Sequence, residues 1–151
     1  MVFFVLVGFP LVDRCFQVVL FNVAVFCGTD EYETVEKSLD DFVYLVELAV
    51  SEICTNIIQH AYQAAGGKIR GSLTRLDNGI QIDLYDDGES FEPEAIPAPA
   101  HDPVSPHEGG YGLHIVRQIM DSVRYQANTP KGNHWRLIKY IPPDDRTKRS
   151  G

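Results

Sequence analysis

The stretch EICTNIIQHAY, residues 52–62, decides how the rest of this 151-residue chain is interpreted. It ends a run in which apolar residues recur at three- and four-residue spacing, which predicts one helix over about 40–62. Glu52, Asn56 and His60 lie about 40° apart in succession around that helix, so they form a stripe along one edge of its apolar face. The side expected to face solvent carries Tyr44, Glu47, Ser51, Thr55 and Gln59.

Two interpretations of the stripe stay open from the residues alone. A carboxylate and an amide at the margin of a core need partners, and a local hydrogen-bond network or plain exposure would satisfy them. Alternatively, Glu52 is a carboxylate base beside Asn56, an oxygen ligand for a hard cation. His60 is expected to be a structural histidine at the helix end.

The chain then alternates apolar and polar residues over 68–76 and 80–86, which predicts a β-hairpin in which Gly79 takes a positive φ. The apolar residues of the second strand set its inward phase, so Asp86 points inward and Asp87 outward. An inward carboxylate followed by Gly88 can accept a hydrogen bond from an exocyclic amine such as that of adenine. An ordinary Asp-Asp-Gly turn is the alternative.

Residues 89–108 contain five of the nine prolines and no periodicity, which predicts a long loop that acts as a lid or is disordered. The sequence GGYGL, residues 109–113, then opens a second helix that is predicted to end near Asp121. Backbone N–H groups in such a cluster can converge on an anion at the helix N-terminus, although a flexible hinge is equally compatible. A last hairpin is predicted over 123–126 and 134–141, followed by a polar tail over 142–151.

Charge and cysteine content narrow the functional class. A net charge of −8 and a pI near 5.0 argue against a general nucleic-acid binder, which normally carries a basic face. The three cysteines are odd in number and show no close-paired spacing, so reduced thiols in a cytoplasmic protein without a zinc site are predicted.

The N-terminal residues 1–28 are strongly apolar and are expected to belong to the same domain. Pro10, Asp13 and Arg14 interrupt them, and neither half reaches the roughly 18–20 residues that a membrane-spanning helix needs. No basic segment precedes the apolar run, as it would in a signal peptide. Buried β-strands are predicted, including an edge strand that pairs with another subunit, and no membrane insertion.

Taken together, four separated segments resemble the GHKL superfamily of ATPases and kinases, and within it the stand-alone bacterial anti-sigma-factor serine/threonine kinases. Residues 52–62 resemble the family's N box, and DDGESFEP, residues 86–93, resembles its Asp-x-Gly box. GGYGLHIVR, residues 109–117, resembles the second glycine box, which MDSVRY continues over 120–125. Gly132-Asn133 with Leu137 and Lys139 is similar to the closing strand. Residues 1–28 depart from the family's usual start.

The resemblance implies a two-layer α/β (α+β) sandwich of the Bergerat ATP-binding type, with a mixed sheet and helices on one face. The ATP-binding kinase domain would occupy residues 29–141. Glu52 would be the catalytic base, and Asn56 would bind Mg²⁺ at the ATP phosphates. The nucleotide would also be bound by Asp86 at the adenine amine, by Gly88 through close approach, and by the glycine-box residues Gly110, Gly112 and Leu113. Residues 89–108 would form the ATP lid.

The implied function is that of a protein serine/threonine kinase and anti-sigma factor. Such a protein transfers phosphate from ATP to a small STAS-type antagonist and otherwise holds a sigma factor, as a cytoplasmic homodimer without direct contact to nucleic acid. A non-catalytic ATP-binding module that only sequesters its partner is the alternative. The catalytic half of a sensor histidine kinase fits poorly, because 151 residues are not expected to include a phospho-accepting helical hairpin.

Overall fold

A computed structural model describes residues 1–7, 36–63, 66–93 and 111–141 of the chain. In chain order, its elements are β1 (Val2–Val7), α1 (Glu36–Asn56), a π-helical turn (Ile57–Ala61), β2 (Lys68–Leu76), β3 (Gly79–Asp86), α2 (Tyr111–Ile119), β4 (Ser122–Thr129) and β5 (Gly132–Tyr140). Residues 29–37, which the sequence predicts to form a short acidic helix or turn, lie mostly outside the described residues. So do the apolar stretch 15–27, residues 94–110 and the tail 142–151.

The five described strands form one sheet in the order β1-β2-β3-β5-β4, and each neighbouring pair is antiparallel. The predicted α+β fold is confirmed, but the expectation of a mixed sheet is wrong for the described strands. The reason lies in the crossover through α2, which leads from β3 to β4. β3 and β4 run in the same direction and would form a parallel pair if they were neighbours, but β5 lies between them and is antiparallel to both.

The hairpin β2–β3 forms as predicted across Asp77 and Asn78, but the explanation given for Gly79 is wrong. Gly79 is not among the described residues with positive φ. It lies inside the strand opposite Tyr140, where a Cβ would overlap the backbone carbonyl oxygen of Lys139 on β5. Glycine is therefore required here by close strand approach, not by turn conformation.

The core lies between the two helices and one face of the sheet. The inward residues of β3, Ile80, Ile82 and Leu84, are at most 2% exposed. The periodic positions of α1 are buried as predicted, and the helix begins at Glu36, four residues earlier than expected. Sheet and helices also contribute Val46, Val50, Ile53, Ile57, Ile69, Leu73, Leu113, Val116, Trp135 and Leu137 to this core.

Glu47 was expected to face solvent, but its side chain is buried and only 7% exposed. The helix explains the difference, because Val43, Glu47, Val50 and Cys54 follow one another at alternating four- and three-residue spacing and so share one face. Burial raises the pKa of Glu47, and its Oε1 has no hydrogen-bond partner within the described ranges.

At the sheet edge, β1 pairs with β2 and leaves its other side unpaired in the described part of the chain. The edge strand predicted for the N-terminal segment is therefore present, and its pairing with another subunit stays a prediction. Met1 and Phe3 are 73% and 74% exposed. None of the helices that the structure describes has the length and apolar character required to span a membrane.

Candidate functional site

Asp86 ends β3 and is completely buried. Its Oδ1 accepts hydrogen bonds from the backbone N–H of Gly88 and from Nδ2 of Asn133, both at 3.0 Å. Asp87 points the other way and forms a 2.8 Å ion pair with Arg70, with 58% of its side chain exposed. The strand phase predicted from the sequence is confirmed.

The second oxygen of Asp86, Oδ2, is buried and has no hydrogen-bond partner among the residues that the structure describes. Burial raises the pKa of Asp86, although the hydrogen bonds from Asn133 and Gly88 act to lower it. An unpartnered buried acceptor costs roughly 1–3 kcal/mol, so this oxygen is suited to a hydrogen-bond partner that a bound ligand brings. A donor such as an exocyclic amine would supply it.

Asn133 holds the Asp86 carboxylate and was not predicted to do so. It is 2% exposed, and its Nδ2 also donates to the backbone carbonyl of Gly88 at 3.0 Å, while its Oδ1 accepts from the backbone N–H of Asn128 at 3.2 Å. From the sequence, Asn133 was expected only to be part of the closing strand. Its role depends on β5 lying beside β3, where Asn133 is opposite Asp86, and no local pattern reveals that register.

The π-helical turn that follows α1, together with Tyr62, makes several short contacts with the Asp-Asp-Gly segment, residues 86–88. A Cβ on Gly88 would lie 2.6 Å from the carbonyl oxygen of Ala61, and the same oxygen accepts from the N–H of Glu89 at 2.8 Å. The hydroxyl of Tyr62 accepts from the N–H of Asp87 at 2.9 Å and donates to the carbonyl of Lys68 at 2.8 Å. Gly88 is therefore needed for backbone approach between these two segments.

The π-helical turn was missed by the sequence analysis, which predicted one regular helix to residue 62. Its defining bond runs from the N–H of Tyr62 to the carbonyl of Ile57 at 3.2 Å. Such turns occur within helices and are frequent at functional sites. Here the turn follows Asn56 directly and ends at Ala61, the residue that contacts Gly88.

One helical turn before Asn56, Glu52 meets the glycine box. A Cβ on Gly112 would overlap Oε2 of Glu52, so the bare glycine backbone is what allows this carboxylate its position. Asn56 has a buried Nδ2 to which no described residue offers a hydrogen-bond partner. Leu113 is 3% exposed and packs in the core, whereas Gly110 lies outside the described residues.

The predicted site residues therefore fall into two groups along the C-terminal half of α1. Glu52 and Asn56 lie on the helix with Gly112 against them, and Asp86 and Gly88 lie beside the π-helical turn. His60 is exposed, and its ring lies 5.5 Å from that of Phe91, in keeping with a structural role.

The first residues of the predicted lid are attached to the sheet. The ring of Phe91 lies 5.4 Å from Tyr125 and 6.0 Å from Trp135, and Ser90 accepts a hydrogen bond from Asn128 at 3.1 Å. Nε2 of Gln63 donates to Glu89 at 3.0 Å. The segment that leaves Gly88 thus starts from a fixed position on the core.

Comparison with known proteins agrees with this arrangement. Residues 30–139 match the profile of the histidine kinase-like ATPase domain. Three similar proteins each carry the name serine-protein kinase RsbW. That of Bacillus velezensis is 31% identical over 103 residues, 64% of this chain and 63% of its own length. That of Bacillus licheniformis is 35% identical over 106 residues, 61% of each chain.

The protein of Oceanobacillus iheyensis is 33% identical over 116 residues, which cover 72% of this chain and 70% of the relative. For the first two relatives, the chain spans about three fifths of their length.

Proposed function

The chain belongs to the family of histidine kinase-like ATPase domains, and from that premise we propose that it is a protein serine/threonine kinase and anti-sigma factor. Membership of this family implies the use of ATP. The kinase would transfer the γ-phosphoryl group to a serine or threonine hydroxyl of a small STAS-type antagonist, and it would otherwise hold a sigma factor. The similar proteins named serine-protein kinase support this choice.

The observation that carries the kinase proposal is the position of Glu52 against Gly112. The glycine box opens α2, and backbone N–H groups at a helix N-terminus attract phosphate. A carboxylate beside them is where a base for an attacking hydroxyl would be needed. A module that only binds ATP has no use for a carboxylate at this point, since it would repel the phosphates.

Asp86 would give the site its preference for adenine. Its buried, unpartnered Oδ2 is an acceptor fixed in place by Asn133 and Gly88 through the other oxygen. The exocyclic amine of adenine is a donor of matching chemistry. Gly88 adds a backbone without a side chain next to this position.

Asn56 would be the protein ligand for Mg²⁺. Its buried amide nitrogen has no partner in the described part of the chain. Rotation of the amide by 180° would present Oδ1, the kind of hard oxygen ligand that Mg²⁺ prefers. Among the described residues, no three His, Cys, Asp or Glu side chains converge on a metal position. One protein ligand completed by phosphate oxygens and water fits Mg²⁺ bound with a nucleotide. The ion would neutralise charge on the transferred phosphoryl group.

The proposal is tested by mixing the full chain with ATP labelled at the γ-phosphate and a STAS-type protein recovered by pull-down. We expect label on a serine or threonine of that protein in a single turnover, dependent on Mg²⁺. Tight binding of ATP and partner without any transfer would contradict the kinase and favour a sequestering module. The kinase itself is expected to be cytoplasmic and to form a dimer through β1 at the unpaired sheet edge. Light scattering measures whether the dimer forms.

Gly112→Ala should slow phosphoryl transfer while leaving the stability of the fold nearly unchanged. The added Cβ meets the end of a flexible side chain, so Glu52 can move aside and the unfolding free energy should change by no more than about 1 kcal/mol. Displacing the base should slow transfer at least about tenfold, because about 1 Å of misplacement can cost roughly 10²-fold. Gly66→Ala is the matched control, since no atom of the described residues lies within 4 Å of its added Cβ. Equal transfer rates in the two variants would contradict the assigned position of Glu52.

A further inference from the structure

The sheet face turned away from the helices carries a cluster of charged side chains that the proposed kinase does not use. Alternation places Asp83 of β3 on this face, beside Arg136 of β5, which in turn lies opposite Arg124 of β4. Asp83 is only 5% exposed although it lies on the face that none of the described helices covers.

Both carboxylate oxygens of Asp83 have hydrogen-bond partners. Oδ1 accepts from Nε of Arg136 and is 2.7 Å from Nε2 of His134, the same distance as to Arg136, while Oδ2 accepts from Gln81 at 2.8 Å. Burial acts to raise the pKa of Asp83, but these hydrogen bonds outweigh it and the pKa lies below its ordinary value. The ring of His134 is also stacked on Tyr85 at 4.3 Å, so its orientation is fixed.

Arg124 is left without an anionic partner in the part of the chain that the structure describes, and it lies directly opposite another arginine. Like charges that face each other across neighbouring strands are destabilising. Asp83 compensates Arg136, so one positive charge remains uncompensated even when His134 is neutral. This local excess stands out in a chain whose net charge is −8.

Arg124, Gln126, His134 and Arg136 line a cleft of about 60 Å³. A single water needs about 10–15 Å³ by this measure, so a group larger than one water fits. We propose that this cleft binds a phosphate group, either as inorganic phosphate or as the phosphorylated side chain of a protein. Two guanidinium groups and two further polar side chains match the charge and the several acceptor oxygens of phosphate.

The test is a titration of the ¹⁵N-labelled full chain with inorganic phosphate at constant ionic strength, followed by NMR. We expect saturable shifts at the backbone amides of residues 122–126 and 134–138, a location that separates this site from the nucleotide site. Arg124→Gln should weaken binding at least tenfold, because it removes the arginine that no carboxylate compensates. Arg75→Gln carries the same change of charge on an exposed side chain of β2, separated from β4 by β3 and β5, and should bind as the wild type does.

A second arm uses a phosphoserine peptide and its unphosphorylated form. Tighter binding of the phosphoserine peptide than of inorganic phosphate would identify a protein side chain as the source, and the reverse order would identify the free ion. The proposal is overturned if neither probe gives saturable shifts on these strands, or if Arg124→Gln binds as well as Arg75→Gln. Circular dichroism of both variants verifies that the sheet is intact.

Discussion

Replacing Glu52 with Gln should lower the single-turnover rate of phosphoryl transfer by about 10²–10⁴, the usual effect of losing a positioned general base. Glutamine keeps the size of the side chain and its fit against Gly112, but it no longer accepts the proton of the attacking hydroxyl. ATP affinity should be retained or somewhat increased, because Asn56, Asp86 and the glycine box would still bind the nucleotide and the neutral glutamine would no longer repel the phosphates. The measurement pairs transfer from labelled ATP with a calorimetric titration of ATP.

Glu47→Gln is a matched control on the same helix. Glu47 is also largely buried and lacks a partner for Oε1, but it lies five residues away on a different face. Because burial raises its pKa, removing its charge should leave the fold as stable or more stable and should not change transfer. Asn56→Ala should instead lose Mg²⁺-dependent binding and transfer together. A wild-type rate in Glu52→Gln would leave the kinase standing and contradict Glu52 as its base.

Asp86→Asn should weaken ATP binding by about 10- to 150-fold, equivalent to the roughly 1.5–3 kcal/mol of a hydrogen bond to a charged group. The asparagine oxygen can keep the bonds that Oδ1 accepts from Gly88 and Asn133, so the fold should persist by circular dichroism. Its amide nitrogen would replace the unpartnered Oδ2 and would face the adenine amine donor to donor.

The same variant should lose its preference for ATP over GTP, since guanine carries an acceptor where adenine carries the amine. Asp87→Asn is the control, because Asp87 is exposed and paired with Arg70 on the other face of the sheet. Calorimetry measures the four affinities, those of Asp86→Asn and Asp87→Asn for ATP and for GTP. If Asp87→Asn were the damaging change, the proposed adenine contact at Asp86 would be wrong.

Local patterns predicted the elements of the site well. The alternation of β3 gave the inward phase of Asp86, and the helical spacing of α1 gave its buried face and the stripe that carries Glu52 and Asn56. These predictions succeed because phase within one element depends only on its periodicity. Glu47 could have been predicted by the same rule, since its spacing to Val50 and Cys54 places it on the buried face.

What local patterns could not provide is contact between distant segments. Asn133 supports Asp86 only because β5 inserts between β3 and β4, and Gly79 is required only because β5 passes close to it. The prediction of a mixed sheet was wrong for the same reason, because the position of β5 between β3 and β4 has no local sequence signal. The π-helical turn likewise depends on the bonds that Ala61 and Tyr62 make to residues 87–89, not on a sequence signal.

The aromatic cluster at the start of residues 89–93 gives the protein an intrinsic fluorescent reporter. Trp135 is the one tryptophan of the chain and is 1% exposed. Its ring nitrogen has no hydrogen-bond partner among the residues described by the structure. Its ring lies 4.7 Å from Tyr125 and 6.0 Å from Phe91, which follows Gly88 by three residues. Any shift of Phe91 changes the surroundings of the indole, so its emission follows events at this segment in real time, in unlabelled protein.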